Sequence, residues 1–121
     1  MRRPLVVSLL LAVFVATIPP PAHALRVVTY NVLNFPGTTG AARLDDFAIV
    51  LDAIDPDVVI VQEMISSSGM TQFLNGAMNA TTPGEYAAGP FVDGPDTDNS
   101  LFYKVSTVQY VSHQEISTAL R

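Results

Sequence analysis

The stretch Val27-Val28-Thr29-Tyr30-Asn31-Val32-Leu33 is rich in β-branched and aromatic residues and reads as a buried strand. It nevertheless carries an amide, Asn31, close to its end. A second run, Val58-Val59-Ile60-Val61-Gln62-Glu63, repeats the pattern and ends in a carboxylate. Between the two, Leu44, Phe47, Ala48, Leu51 and Ile54 recur at helical spacing, while Arg43, Asp45, Asp46 and Asp52 decorate the other side. That period predicts a helix from Ala41 to Ile54. Asp45 and Asp46 near its start suit the positive end of the helix dipole. Asp55-Pro56-Asp57 stops it, because proline disfavours helical geometry in the preceding residue. Strand, helix and strand over this length make a βαβ unit with parallel strands and a right-handed crossover. Both strands then end on one sheet edge, where open α/β sheets bind ligands, and Asn31 and Glu63 fall on that edge.

Outward from this unit the pattern is less regular. Asn34-Phe35-Pro36-Gly37-Thr38-Thr39-Gly40 is loop chemistry. The unbroken apolar run Val58 to Gln62 is what a strand buried on both faces looks like. Met70, Phe73, Leu74, Ala77 and Met78 fit a short amphipathic helix within Ser66 to Asn79, opened by serines. Asn79-Ala80-Thr81 matches a glycosylation sequon. A short strand is expected around Tyr86 to Ala88, then a polar turn cluster, Pro95-Asp96-Thr97-Asp98-Asn99. Ser100 to Lys104 reads as a further strand, and a close turn to Thr107–Ser112 predicts an antiparallel hairpin.

The N-terminus has a different character. Met1-Arg2-Arg3 is a basic head, Leu5 to Ile18 is almost wholly apolar, Pro19-Pro20-Pro21 breaks any helix, and Ala22-His23-Ala24 is a small-x-small cleavage site. Residues 1–24 therefore read as a secretory signal peptide, which predicts an extracellular or periplasmic protein. An uncleaved anchor is the alternative, although the apolar run is shorter than the ~20 residues a spanning helix needs. Cleavage leaves residues 25–121 with no transmembrane segment predicted. It removes Arg2 and Arg3 and no acid, so the net charge moves from −5 to −7. Such acidity argues against a stable nucleic-acid complex, which depends on Lys and Arg neutralising phosphates. It permits an enzyme that touches a phosphodiester briefly and recruits cations. The absence of cysteine excludes disulfide scaffolds, thiol nucleophiles and zinc–thiolate sites.

A carboxylate and an amide at neighbouring strand ends suit a hard divalent cation. Mg²⁺ takes oxygen ligands, keeps several waters, and commonly uses one or two carboxylates together with substrate phosphate. Such an ion neutralises phosphate charge and stabilises the transition state. Spacing alone favours the plainer reading, in which Asn31 and Glu63 simply end their strands and meet solvent.

Thr29-Tyr30-Asn31-Val32, followed by Pro56-Asp57-Val58-Val59 and closing in Gln62-Glu63, resembles the endonuclease/exonuclease/phosphatase superfamily, the DNase I-like fold. Asn99-Ser100-Leu101-Phe102-Tyr103-Lys104 is similar to the family's apolar strand ending in Tyr-Arg or Tyr-Lys. The resemblance covers about Arg26 to Lys104. It implies an α/β (α+β) architecture, a four-layer β-sandwich flanked by helices, of which this chain supplies about the first half. It also implies Mg²⁺ (or Mn²⁺ or Ca²⁺) as cofactor. Glu63 would be a metal ligand, and Asn31 would lie in the metal site and position the phosphate. Metal-assisted, in-line attack of water on a phosphodiester of nucleic acid or of a phospholipid headgroup would be the reaction. The family's histidine-orienting acid falls, ungapped, on Thr97 between Asp96 and Asp98, and Asp98 is the candidate.

The family's His–Asp unit and Asp-x-Asn motif have no counterpart. No Gly-Asp-x-Asn and no Ser-Asp-His occurs, His23 lies in the signal region, and His113 reads as a surface residue. The family domain is a single one of roughly 250 residues, at the upper end of ordinary domain size, and half of it would expose an apolar sheet face, a liability in isolation. The expectation is the N-terminal part of a secreted, nuclease-like phosphodiesterase, inactive without further sequence. A sphingomyelinase-like hydrolase, a non-catalytic exported binding domain, and an unrelated export domain with a chance Gln-Glu pair are the alternatives.

Overall fold

The computed structural model describes residues 24–116. The predicted signal peptide up to His23 and the chain end at Arg121 lie outside the described residues. In order, the elements are strand β1 (Val27–Phe35), helix α1 (Gly40–Ile54), strand β2 (Val58–Met64), helix α2 (Ser67–Phe73) running into a π-helical turn (Leu74–Met78), and strands β3 (Tyr86–Ala88) and β4 (Asp98–Lys104). The fold is mixed α/β, with one four-stranded mixed sheet of order β1-β2-β4-β3 and two α-helices. β1 and β2 are parallel with Val27 opposite Val58 and Asn31 opposite Gln62. β4 runs antiparallel to both β2 and β3.

Each element follows from local chemistry. α1 ends at Asp55, whose left-handed backbone (φ 51°) turns its N–H back to the Leu51 carbonyl before Pro56 forbids continuation. No acid lies in its first turn. Asp45 and Asp46 therefore sit one turn too far along for the dipole contact the sequence suggested, because that effect fades within the first turn. Ser66 caps α2 by accepting the Gly69 N–H at 3.0 Å, a standard serine role.

The core lies on one face of the sheet. Val32 and Phe35 of β1, Val59, Val61 and Met64 of β2, and Phe102 of β4 bury against Phe47 and Leu51 of α1 and Phe73, Ala77 and Met78 beyond. Phe35, Phe47, Phe73 and Phe102 form a chain of rings with centroids 5.2–6.0 Å apart, mostly edge-on or tilted as their quadrupoles prefer. Pro36 lodges where only glycines leave room: a Cβ on Gly40 would stand 2.6 Å from its Cβ, and one on Gly69 2.5 Å from its Cδ.

Two expectations need correction. β2 is buried on one face only, since Val59 and Val61 are buried while Ile60 between them is 36% exposed. Its continuous apolar run leaves the opposite sheet face apolar and partly open among the described residues. The predicted strand Thr107–Ser112 does not form. β4 already pairs with β2 on one side and β3 on the other, so no edge is left for a hairpin partner. The chain instead turns through Val105–Thr107, with the N–H groups of Thr107 and Val108 donated to the Lys104 carbonyl. It then runs without regular structure, and Tyr110 stacks on Tyr103 at 6.4 Å.

The sheet end opposite the strand tips of interest is tightly tied. Asp57, 2% exposed, accepts the Arg26 backbone N–H (2.8 Å) and the Thr107 hydroxyl (2.8 Å). Lys104 is buried and pairs with Asp55 and with Glu85 (3.1 Å). Asp55 holds the Lys104 ammonium well above the usual lysine range, and Lys104 in turn holds the Asp55 carboxyl below its usual one. The Asn79 amide donates to the Tyr86 carbonyl (3.0 Å) and accepts the Tyr86 N–H (2.8 Å), so the sequon asparagine is committed to holding β3.

Candidate metal centre at the strand ends

The C-terminal edge of β1 and β2 departs from ideal pairing on both sides of Glu63. Between the β1–β2 pairs Asn31↔Gln62 and Phe35↔Met64, three residues of β1 (Val32, Leu33, Asn34) stand opposite Glu63 alone. Between the β2–β4 pairs Val61↔Ser100 and Met64↔Asp98, Gln62 and Glu63 stand opposite Asn99 alone. Glu63 is thus bulged with respect to both neighbours. Bulges re-aim side chains and gather beside functional sites.

Backbone strain concentrates at the same place. Leu33 (φ 49°), Asn34 (φ 50°) and Glu63 (φ 61°) all adopt the left-handed region, which is uncommon for residues other than glycine. Each such residue costs of order 1–3 kcal/mol and persists only where its surroundings over-determine it. Here the determinants are visible. Asn31 Nδ2 donates to Glu63 Oε1 at 2.8 Å, and Asn31 Oδ1 accepts the Leu33 N–H at 2.9 Å. Both ends of the Asn31 amide are engaged, which also fixes which end faces the carboxylate. Arg43 of α1 donates from Nη1 to the Val32 carbonyl (2.7 Å) and from Nη2 to the Leu33 carbonyl (3.3 Å).

Asn31 and Glu63, the two residues the sequence singled out, are therefore in direct contact. Glu63 is half-buried. Among the described residues it forms no ion pair, and the bond from Asn31 is its only side-chain hydrogen bond. It is an oriented, uncompensated carboxylate. Asp98 lies at the same sheet edge, because β4 is antiparallel and begins opposite Met64. Its Oδ1 accepts the Gly94 N–H at 2.8 Å, while the buried Oδ2 has no partner among the described residues. His113 is exposed, with Nδ1 2.5 Å from the Tyr110 hydroxyl. It shares with Asp98 the lining of an open groove of about 740 Å³. Among the described residues, no three or more His, Asp or Glu side chains converge as a ready-made cage, and no helix is long and apolar enough to cross a membrane.

Two residues escaped the sequence reading. Arg43 was one polar residue among several on the outer face of α1. Its signal was available, since it is the only basic residue between Arg26 and Lys104. Asp57 read as part of a helix stop, whereas it fastens the start of β1 to the turn after β4.

Comparison of the chain with protein-family models, with curated proteins and with solved structures gives no match.

Proposed function

We propose that this chain carries the Glu63 arm of a divalent-metal phosphodiesterase site. The frame would be the DNase I-like, four-layer α+β sandwich, and the protein would be exported by its N-terminal signal peptide. One observation carries the reading: a half-buried carboxylate, bulged against both neighbouring strands at φ 61°, is oriented by an amide and paired with no cationic side chain among the described residues. Retaining such strain and such an uncompensated charge is costly, and a bound cation offsets the charge.

The donor chemistry fits Mg²⁺, or Mn²⁺ or Ca²⁺ in its stead, since one rigid carboxylate completed by water and substrate phosphate is a common arrangement. Glu63 would hold the ion. Asn31 would act beside it by fixing Oε1 through its Nδ2. When bound, the ion supplies neutralisation of the phosphate and activation of water. Asp98 is the candidate for orienting a catalytic base, and no residue of this chain is assigned as that base. The net charge of −7 left after signal cleavage, with Arg2 and Arg3 removed from the full chain's −5, favours brief contact with a phosphodiester over a stable nucleic-acid complex. A nuclease-like substrate is the leading choice, with a phospholipid headgroup as the second.

Titration with Mn²⁺, followed by calorimetry and by paramagnetic broadening of the Asn31 and Glu63 side-chain resonances, tests the reading. Saturable binding at one site is expected, and Glu63→Gln should weaken it ~10-fold or more. A Glu63→Gln protein that binds Mn²⁺ as tightly as the unaltered chain would overturn it. Whether a short oligonucleotide or sphingomyelin vesicles tighten Mn²⁺ binding then separates the two substrate classes.

A further inference from the structure

Leu33 is a leucine at φ 49° whose side chain is 69% exposed, so side-chain burial does not hold it in that conformation. Its peptide groups do. The Leu33 N–H is donated to Asn31 Oδ1, and its carbonyl is taken by Arg43 Nη2. The preceding carbonyl, of Val32, receives Nη1 of the same guanidinium. Both carbonyls lie where the β1–β2 pairing is interrupted. A planar fork satisfies two neighbouring acceptors at once, and a lysine ammonium is a point charge that does not reproduce it.

The guanidinium is itself confined. It lies 5.8 Å from the Phe35 ring centroid and 5.5 Å from that of Phe47, within the range of cation–π attraction. Its buried Nε has no partner among the described residues. A head group held by two rings and two carbonyls belongs to the fold as firmly as the core does. From it, a short series of contacts leads to the carboxylate: Arg43 to the Leu33 carbonyl, the Leu33 N–H to Asn31 Oδ1, and Asn31 Nδ2 to Glu63 Oε1.

We propose that Arg43 is a positioning residue, whose grip on the Val32 and Leu33 carbonyls sets the Asn31–Glu63 pair and through it the affinity of Glu63 for a divalent cation. The affinity half rests on the metal-site reading above, and the positioning half stands on the contacts alone.

The test uses the whole chain as Arg43→Ala, Arg43→Lys and, as a control on the same helix, Leu44→Ala, whose side chain packs at Gly76. Without metal, hydrogen exchange at the Leu33 amide and the Asn31 side-chain NH₂ resonances are followed by NMR. Arg43→Ala should speed Leu33 exchange and shift the two Asn31 NH₂ resonances toward their random-coil positions, and Arg43→Lys should restore both only in part. Leu44→Ala should lower Tm yet leave both signals unchanged. With Mn²⁺, Arg43→Ala should raise Kd ~10-fold or more, as loss of supporting contacts around a metal does, while Leu44→Ala should leave Kd unchanged. If Arg43→Ala does not fold, Arg43→Lys carries the comparison. Unaltered Asn31 and Leu33 signals in the Arg43 variants overturn the positioning role. Altered signals with an unchanged Kd overturn the link to affinity. Failure of the unaltered chain to bind Mn²⁺ overturns the metal-site reading and the affinity half together, and the metal-free signals still decide the rest.

Discussion

Replacing Glu63 by alanine and by glycine makes the strain at the strand ends measurable. Both variants lose the same carboxylate and the same bond from Asn31, so the difference between them isolates the backbone at φ 61°. An L-residue in the left-handed region costs about 1–2 kcal/mol that glycine does not incur. Glycine surrenders about 0.4–1 kcal/mol more chain entropy on folding. The Glu63→Gly protein should therefore be more stable than the Glu63→Ala protein by roughly 0.5–1 kcal/mol. At Thr29, an exposed residue in the regular part of β1, the same pair of substitutions should fall in the opposite order, glycine being weaker by about 0.5–1 kcal/mol. Urea unfolding monitored by circular dichroism, in EDTA so that bound metal adds nothing, resolves these values if the slopes agree. For a domain of this size the expected shift in Tm is about 4–8 °C per kcal/mol. Neither Glu63 variant should bind Mn²⁺. An alanine variant at least as stable as the glycine one would refute the claim that the fold holds Glu63 in a strained conformation.

Two further outcomes concern the opposite end of the sheet. Asp57→Ala should destabilise the chain by about 2–4 kcal/mol in equilibrium unfolding, since it removes the acceptor of two part-buried hydrogen bonds, from the Arg26 N–H and the Thr107 hydroxyl, and a hydrogen bond to a charged group contributes about 1.5–3 kcal/mol before solvent exposure reduces it. The Asp55–Lys104 pair should give stability a defined pH dependence. Asp55 is held below its ordinary value by Lys104, so its contribution is complete above the usual carboxylate range and is lost as pH falls through the depressed value. Lys104 is held above its ordinary 10.5 by Asp55, so its contribution is complete below that value and is lost as pH rises through the raised one. Asp55→Asn should flatten the acid limb of a stability–pH profile measured by urea unfolding.

How far the sequence disclosed this depended on the range of the interaction. β1, α1 and β2 are set by nearest neighbours and by Pro56, and their parallel pairing brings Asn31 level with Gln62. Pattern alone accordingly put Asn31 and Glu63 on one sheet edge, whereas their direct contact arises at the register shift beside them. The antiparallel docking of β4 between β2 and β3 was not, because residues far apart in the chain determine it. That docking is what denied Thr107–Ser112 a partner strand. The bulge was hidden for a different reason. Left-handed positions normally reveal themselves through glycine, and here leucine, asparagine and glutamate occupy them. Only Asn34 has a side chain that favours that conformation. At Leu33 the peptide groups are engaged by Asn31 and Arg43, and composition carries no trace of such contacts.

The two ends of the sheet consequently differ in kind. At the start of β1 and β2, each charged group has a partner: Asp57 with the Arg26 N–H and Thr107, and Lys104 with Asp55 and Glu85. At their C-terminal ends and among the described residues, Glu63 has an orienting amide but no counter-charge, Asp98 keeps a buried oxygen without a partner, and three residues hold left-handed backbone. A fold that satisfied its local preferences everywhere would have no reason for this asymmetry, and departures of this sort in natural proteins gather at sites of function. The paired end and the ring-packed core supply the rigidity against which the strained end is held. Arg43 is the link between them, because its head group lies against the core rings Phe35 and Phe47 and its fork reaches the carbonyls at the strained edge. Loosening the paired end should therefore lower stability without altering the Asn31–Glu63 geometry until the chain unfolds, whereas loosening Arg43 should alter that geometry first.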